Sequence, residues 1–184
     1  MEFPFNLKKS SASSTNTKVY VATFDFEIGM IMAAGDDEFL YIVAFKDSKN
    51  VKDIFVKVAK ELSCEFVNKK NKLLENFEVE LKDYFDGKLK NFSIPIKFFG
   101  TDFQKEVWDL LYKQDYGTTQ TYGDLAKALG RSGSHARAIG AACGANGHII
   151  VIPCHRIVAS GSKGGFSSGG DRKEWLLQHE HKYS

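Results

Sequence analysis

The stretch that decides the fold reads Thr121-Tyr122-Gly123-Asp124-Leu125-Ala126-Lys127-Ala128-Leu129-Gly130, then Arg131-Ser132-Gly133, then Ser134-His135-Ala136-Arg137-Ala138-Ile139-Gly140. Thr121 is placed to cap a short helix running through Leu129. Gly130 is placed to end it, because glycine adopts the left-handed conformation of a helix stop without steric cost. Ser134 is placed to cap a second helix that runs to about Gly144. Two short helices joined by a small glycine-containing turn form the helix-turn-helix pattern, with Arg137 near the start of the second helix. The small residues Ala136, Ala138, Gly140, Ala141 and Ala142 allow either close approach to a partner's backbone or tight packing on a neighbouring helix.

Working outward, Thr101 with Gln104 makes a capping box ahead of Phe103, Val107, Leu110 and Leu111, which share one helical face. Asn91-Phe92-Ser93-Ile94-Pro95 reads as a linker. Before it, β-branched and aromatic runs predict strands over residues 18–24, 29–33 and 38–45. Asn50 is placed to cap a helix with Val51, Ile54, Phe55, Val58 and Leu62 on one face, and a second helix is expected over residues 73–85, stopping at Gly87. Residues 7–17 read as a flexible tail. These features give a tail over residues 1–17, a small α/β domain over residues 18–92 and a second domain over residues 93–184. The α/β domain shows no chemistry of its own.

After the helix-turn-helix comes the apolar run Ile149-Ile150-Val151-Ile152, expected to end as a strand at Pro153-Cys154-His155-Arg156. A thiolate is the nucleophilic form of cysteine, and a neighbouring imidazole or guanidinium favours it. A reactive thiol in such a setting suggests covalent chemistry on one carbon of a bound substrate. An inert buried cysteine is the alternative that the tetrapeptide alone leaves open. Asp171 is placed to cap a last helix through Trp175, Leu176 and Glu180.

Composition narrows the class. An apolar fraction of 43% fits a globular chain, and no window approaches a membrane span of about 20 apolar residues. The start, Met1-Glu2-Phe3-Pro4-Phe5, lacks the basic-then-apolar pattern of a secretory signal. Cys64, Cys143 and Cys154 are odd in number and lack CxxC spacing, which argues against a disulfide scaffold and for a reducing compartment. The net charge of +2 hides an asymmetry. No acid occurs from Leu125 through Gly170, whereas Lys127, Arg131, Arg137, Arg156 and Lys163 all fall there. An acid-free segment holding most of the arginines suggests a surface that faces a polyanion.

Several motifs then agree in order and spacing. They are Gly100-Thr101-Asp102-Phe103-Gln104 with Val107-Trp108, Tyr122-Gly123-Asp124-Leu125-Ala126, Ala136-Arg137-Ala138-Ile139-Gly140, Asn146, Pro153-Cys154-His155-Arg156-Ile157-Val158 and Arg172-Lys173-Glu174-Trp175-Leu176-Leu177. Together, over roughly residues 95–181, they resemble the O6-alkylguanine-DNA alkyltransferases (methylated-DNA–protein-cysteine methyltransferases). The resemblance implies a ribonuclease-H-like α/β N-terminal domain and a mostly α C-terminal domain with a winged-helix-like helix-turn-helix.

It also implies a DNA repair protein that flips O6-alkylguanine from duplex DNA and transfers the alkyl group irreversibly to its own cysteine. Cys154 would be the nucleophile, His155 a base acting through water, Glu180 its orienting carboxylate and Asn146 a brace for the turn before the cysteine. Tyr122, Gly123, Arg131, Arg137 and Ser160 would contact DNA, with Arg137 filling the vacated stack. Ile157, Phe166 and Lys173 would line the substrate pocket, and the carbonyls of Cys154 and Ile157 would receive the guanine amino group.

This sequence departs from the family at Gly147-His148, where proline is common, and at Phe166, where tyrosine is usual. Some members hold zinc in the N-terminal domain. Residues 1–99 here have one cysteine and no histidine, so no metal is expected, and no cofactor. The expected partner is duplex DNA containing O6-alkylguanine, met as a monomer, with no membrane. The expected place is intracellular, the nucleus in a eukaryote and otherwise the cytoplasm. Two other readings are a non-repairing damage sensor, which Cys154 argues against, and a helix-turn-helix regulator, which would need a further module.

Overall fold

The computed structural model describes residues 17–184. The expected tail lies outside the described residues except for Thr17, which opens the first strand. Strands β1 (Thr17–Phe26), β2 (Gly29–Gly35) and β3 (Leu40–Phe45) form an antiparallel meander. A strand that the sequence reading did not anticipate, β4 (Cys64–Asn68), adds in parallel to β1, giving the order β3-β2-β1-β4. It is only five residues long and carries no turn signal. Ser63, in the left-handed conformation at φ 47°, turns the chain into it.

Helix α1 (Val51–Leu62) packs Val51, Phe55 and Val58 on one face of the sheet, against Val19, Val21 and Ile42. Helix α2 (Lys72–Phe85) packs Leu74, Phe77, Leu81 and Tyr84 on the other, against Phe24, Ile31 and Phe45. With a helix on each face, all six residues of β3 are buried, so it reads as an unbroken apolar run rather than an alternation. Asn50 does not cap α1. Its side-chain amide instead donates to the Gly144 carbonyl at 3.0 Å, so the side chain ties the two halves of the chain together. The segment read as a linker is packed, with Phe92 and Ile94 buried in the α2-side core.

The second half is mostly helical. Helix α3 (Asp102–Tyr112) has the expected capping box between Thr101 and Gln104. The helix-turn-helix consists of α4 (Tyr122–Ala128), capped by Thr121 with Asp124, and α5 (Ala136–Gly144). Gly130 follows α4 at φ +67°, as a helix stop requires. Ser134 does not cap α5. A 3-10 turn over Gly133–His135 precedes that helix, and the Ser134 hydroxyl bonds to Ser132 at 2.6 Å. The Trp108 indole donates to the Ala142 carbonyl at 2.9 Å and fixes α5 against α3. Two short strands, β5 (Gln120–Thr121) and β6 (Ile157–Val158), pair in parallel. Helix α6 (Gly170–Tyr183) closes the chain. Its N-cap is Gly169 rather than Asp171, with no side-chain cap.

The two halves share hydrogen bonds and a core. The Val43 amide donates to the Gly147 carbonyl at 2.7 Å, and the Ile149 amide to the Val43 carbonyl at 2.9 Å. Arg172 on α6 pairs with Asp47 at 2.7 Å, donates to the Ile28 carbonyl at 3.0 Å and lies over the Phe45 ring. Gly29 lies beneath it at φ +123°, a backbone conformation that favours glycine. Among the described residues, no helix is long and apolar enough to cross a membrane.

Candidate active site

The run 149–152 is not the strand expected from its composition. Its side chains divide between two cores. Ile149, Ile150 and Val151 face the sheet side, while Ile152 faces the helical domain. A regular strand cannot send three consecutive side chains to one side, so the chain turns. Ile150 sits at φ +70°, a costly conformation for a β-branched residue, and the Val151 amide bonds the Ile149 carbonyl at 2.8 Å. Pro153, at φ −83° and ψ 60°, forms an inverse γ-turn in which the Cys154 amide bonds the Ile152 carbonyl at 2.8 Å. Cys154 then opens a 3-10 turn, Cys154–Arg156.

Asn146 braces this segment at three points. Its amide donates to the Ile152 carbonyl at 2.8 Å and to Cys154 Sγ at 3.2 Å, and its Oδ1 accepts from the His148 amide at 2.9 Å. Cys154 is only 3% exposed. Burial raises its thiol above the ordinary range, against the Asn146 bond and the positive charge of Lys173. The resting group is therefore a thiol and needs a base.

His155 and Glu180 supply the chemistry for one. Both are fully buried, with His155 Nε2 2.7 Å from Glu180 Oε1. Burial alone would raise the Glu180 carboxyl, but His155 and Arg156 outweigh it and hold the carboxyl well below its usual range. An ionised carboxylate only accepts, so Nε2 carries the proton and Nδ1 keeps its lone pair. Burial also lowers His155, with Glu180 only partly offsetting it, so the imidazole is neutral at neutral pH. Nδ1 makes no hydrogen bond among the described residues, Cys154 Sγ included.

Glu180 also accepts from Arg156 Nε at 2.8 Å and Nη2 at 3.0 Å, from the Tyr84 hydroxyl at 2.8 Å and from the Gly117 amide at 3.1 Å. A buried carboxylate needs such compensation, and Arg156 supplies the opposite charge. Sequence reasoning gave no role to Tyr84, and it counted Arg156 among the cations of a polyanion-facing surface, whereas Arg156 is buried and turned to Glu180. Tyr84 lies on the apolar stripe of α2, where it reads as core.

Cys154 opens onto a cavity of about 420 Å³ between α5, the start of α4 and the loop before α6. Phe166, expected in the pocket, lines it, as do Tyr122 and Arg137, which the resemblance assigned to DNA, and Gly140, Cys143 and Ser167, to which the sequence reading gave no pocket role. Ile157 and Lys173, also expected there, are fully buried and not among its lining. Gly164 leaves room for the Tyr122 ring, which lies 3.1 Å from where a Cβ would stand. Arg137 is exposed at the rim. Lys173 is fully buried, and its ammonium donates to the carbonyls of Ile157 at 2.5 Å and Gly165 at 3.0 Å, linking β6 to the cavity loop. Gly123 is half-buried beside Tyr122, and Ser160 is exposed in the loop after β6. Arg131 stands apart, paired with Glu106 at 2.8 Å and lying over the Phe103 ring. Among the described residues, no group of three or more His, Cys, Asp or Glu side chains could hold a metal.

A family model described as 6-O-methylguanine DNA methyltransferase, DNA binding domain, matches residues 102–182. A second, described as the ribonuclease-like domain of the same protein, matches residues 19–98. A methylated-DNA–protein-cysteine methyltransferase of Methanosarcina acetivorans is 40% identical over 88% of this chain and 98% of its own length. The inducible enzyme of Bacillus subtilis is 36% identical over 74% of this chain and 76% of its own. The crystal structure of Mycobacterium tuberculosis O6-methylguanine methyltransferase superposes with a TM-score of 0.76 at 30% identity, covering 90% of this chain and 94% of that one. The same organism's OGT in complex with DNA superposes at 0.77 with 29% identity, over 91% and 95%.

A ribonuclease-like α/β domain joined to a helix-turn-helix domain, with a cavity-lining cysteine followed directly by the histidine of a buried His–Glu pair, defines a DNA-binding alkyltransferase of DNA repair. The chain belongs to the 6-O-methylguanine-DNA methyltransferase family, and its enzyme class is methylated-DNA–protein-cysteine methyltransferase.

Proposed function

We propose that this protein flips O6-alkylguanine out of duplex DNA and moves the alkyl group irreversibly onto Cys154, once per chain. The observation that carries this reading is that Cys154 lines the cavity while the next residue, His155, is buried and paired with Glu180. His155 Nδ1 takes the thiol proton through a bridging water, and Glu180 stabilises the imidazolium that forms. The sulfur attacks the alkyl carbon, the carbon–O6 bond breaks, and the guanine leaves with a proton returned from the relay. The thioether is a poor leaving group, and burial keeps the Cys143 thiol of the same cavity protonated, a poor nucleophile. One turnover follows.

A stacked base is out of reach, so flipping must come first, at a cost of a few kcal/mol. Arg137 at the cavity rim fills the vacated stack, a minor-groove insertion of a kind that other DNA-bending proteins use. Tyr122 turns the 3′ phosphate, with Gly123, Ser160 and Arg131 on the neighbouring backbone. The Cys154 and Ile157 carbonyls receive the guanine amino group. They already accept from the Ile157 amide and from Lys173, and each keeps a second lone pair. The residues present supply this chemistry without metal or cofactor, and one protein molecule acts as a monomer.

The test is stoichiometric. Duplex DNA containing O6-methylguanine, supplied in excess, should lose its methyl groups only until one guanine has been restored per chain. Continued restoration beyond that point would contradict the single-turnover reading.

A further inference from the structure

The Pro153–Arg156 segment borders two cavities. Cys154 lines the one already described, whereas Pro153 and Arg156 line another, of about 240 Å³, that shares no lining residue with it. The apolar lining of this second hollow comes from Ile150, Val151 and Pro153, with the rings of Phe92 and Tyr112. The Tyr112 hydroxyl donates to the Phe92 carbonyl at 3.4 Å, joining the end of α3 to the segment before it. The charged lining is Lys90, Lys113 and Arg156, with no acid. Arg156 is neutralised by Glu180. Lys90 and Lys113 are exposed, and neither pairs with an acid among the described residues; the Lys90 ammonium lies 5.7 Å from the centre of the Tyr116 ring. The main chain adds a donor. Ile150, 2% exposed and at φ +70°, has an amide N–H with no hydrogen-bond partner among the described residues. A buried N–H of that kind is satisfied only by water or a ligand.

The geometry points to a second binding site here, for a small anion carried on a flat apolar body: a carboxylate or phosphate ester about the size of phenyl phosphate. Its charge sits between Lys90 and Lys113, and its ring lies against Phe92 and Tyr112. Two unpaired ammonium groups in a concave surface without acids favour an anion over a neutral or cationic ligand. The volume falls just below the roughly 300–1,000 Å³ of drug-sized clefts, which sets the ligand's size. A bare inorganic ion would leave the rings and the aliphatic lining uncovered, so the anionic group needs an apolar body. The site is independent of the alkyl-transfer reading, which uses the other cavity.

The experiment titrates the isotope-labelled full chain with phenyl phosphate, benzoate and inorganic phosphate, each against sodium chloride at matched ionic strength, and follows the backbone amide NMR signals. Saturable shifts should appear at Ile150, Val151 and Lys113 with phenyl phosphate or benzoate, and the tighter of the two identifies the anionic group. Inorganic phosphate should bind more weakly than phenyl phosphate. Lys90→Gln combined with Lys113→Gln should weaken binding about tenfold or more, the scale of one lost charge-assisted hydrogen bond. Both side chains are exposed, so the pair of substitutions leaves the fold intact. Arg137→Ala should leave binding unchanged, because Arg137 lines the other cavity. Shifts that chloride reproduces, inorganic phosphate binding as tightly as phenyl phosphate, or binding that Arg137→Ala abolishes while the lysine pair spares it would overturn the proposal.

Discussion

The Tyr84 hydroxyl, on the last turn of a helix in the N-terminal domain, donates to Glu180 at 2.8 Å. The same oxygen receives His155 Nε2, so the domain without chemistry of its own reaches the base of the active site. Tyr84→Phe removes one of several donors to that carboxylate. Because the acceptor is charged, it should cost about 1.5–3 kcal/mol of stability, read from denaturant midpoints. Transfer should slow less than in His155→Ala or Glu180→Ala, where the loss of a base relay is worth about 10²–10⁴ in rate. A Tyr84→Phe rate as low as that of His155→Ala would show that the hydroxyl does more than brace the carboxylate.

Acid should weaken the fold in a defined window. His148 is buried, and burial lowers it to about 4, while His155 is also lowered by burial. A histidine depressed in the folded state gains its proton first in the unfolded chain, so stability falls as pH drops below the unfolded value of about 6.5. For His148 alone the loss reaches roughly 3 kcal/mol once the pH passes its folded value. Glu180, held low by its partners, gives stability that is present above its unfolded pKa of about 4.3 and is lost only in stronger acid. Urea midpoints should be level above pH 7 and decline from about pH 6.5 downward. Level midpoints down to pH 5 would contradict the buried, neutral histidines.

Arg137 tests the flipping step. A phosphate clamp tolerates lysine, because either residue supplies the charge. A side chain standing in a base stack needs the planar guanidinium. Arg137→Lys should therefore slow repair in duplex DNA while sparing reaction with free O6-benzylguanine, which needs no flipping. Equal slowing of both would place Arg137 in the fold or the pocket instead.

Much of this molecule was legible in the sequence where a local rule decides. The Thr101–Gln104 box, the Thr121 cap and the Gly130 stop all hold, because each depends on neighbours within a few residues. Asn50, Ser134 and Asp171 had the right type for caps but found other partners or none. Asn50 is drawn to Gly144, a contact 94 residues away that no local rule contains. The run 149–152 misled for the same reason: its composition says strand, but its side chains serve two cores. At the site, the motif brought His155, Glu180 and Asn146 into view. Tyr84 and Cys143 were hidden because a phenol on an apolar stripe and a buried thiol both read as packing.

The central claim is that Cys154, and no other residue, takes the alkyl group. Cys64 and Cys143 are the controls within the same chain. Burial raises all three thiols, Cys64 to about 11, but only Cys154 receives the Asn146 bond. The most direct measurement is intact mass followed by peptide mapping after incubation with duplex DNA containing O6-methylguanine. The account predicts a mass gain of a single methyl per chain, located on the peptide carrying Cys154, and no gain in Cys154→Ser. Methyl on Cys143 or Cys64, or a Cys154→Ser protein that still takes up the group, would contradict it.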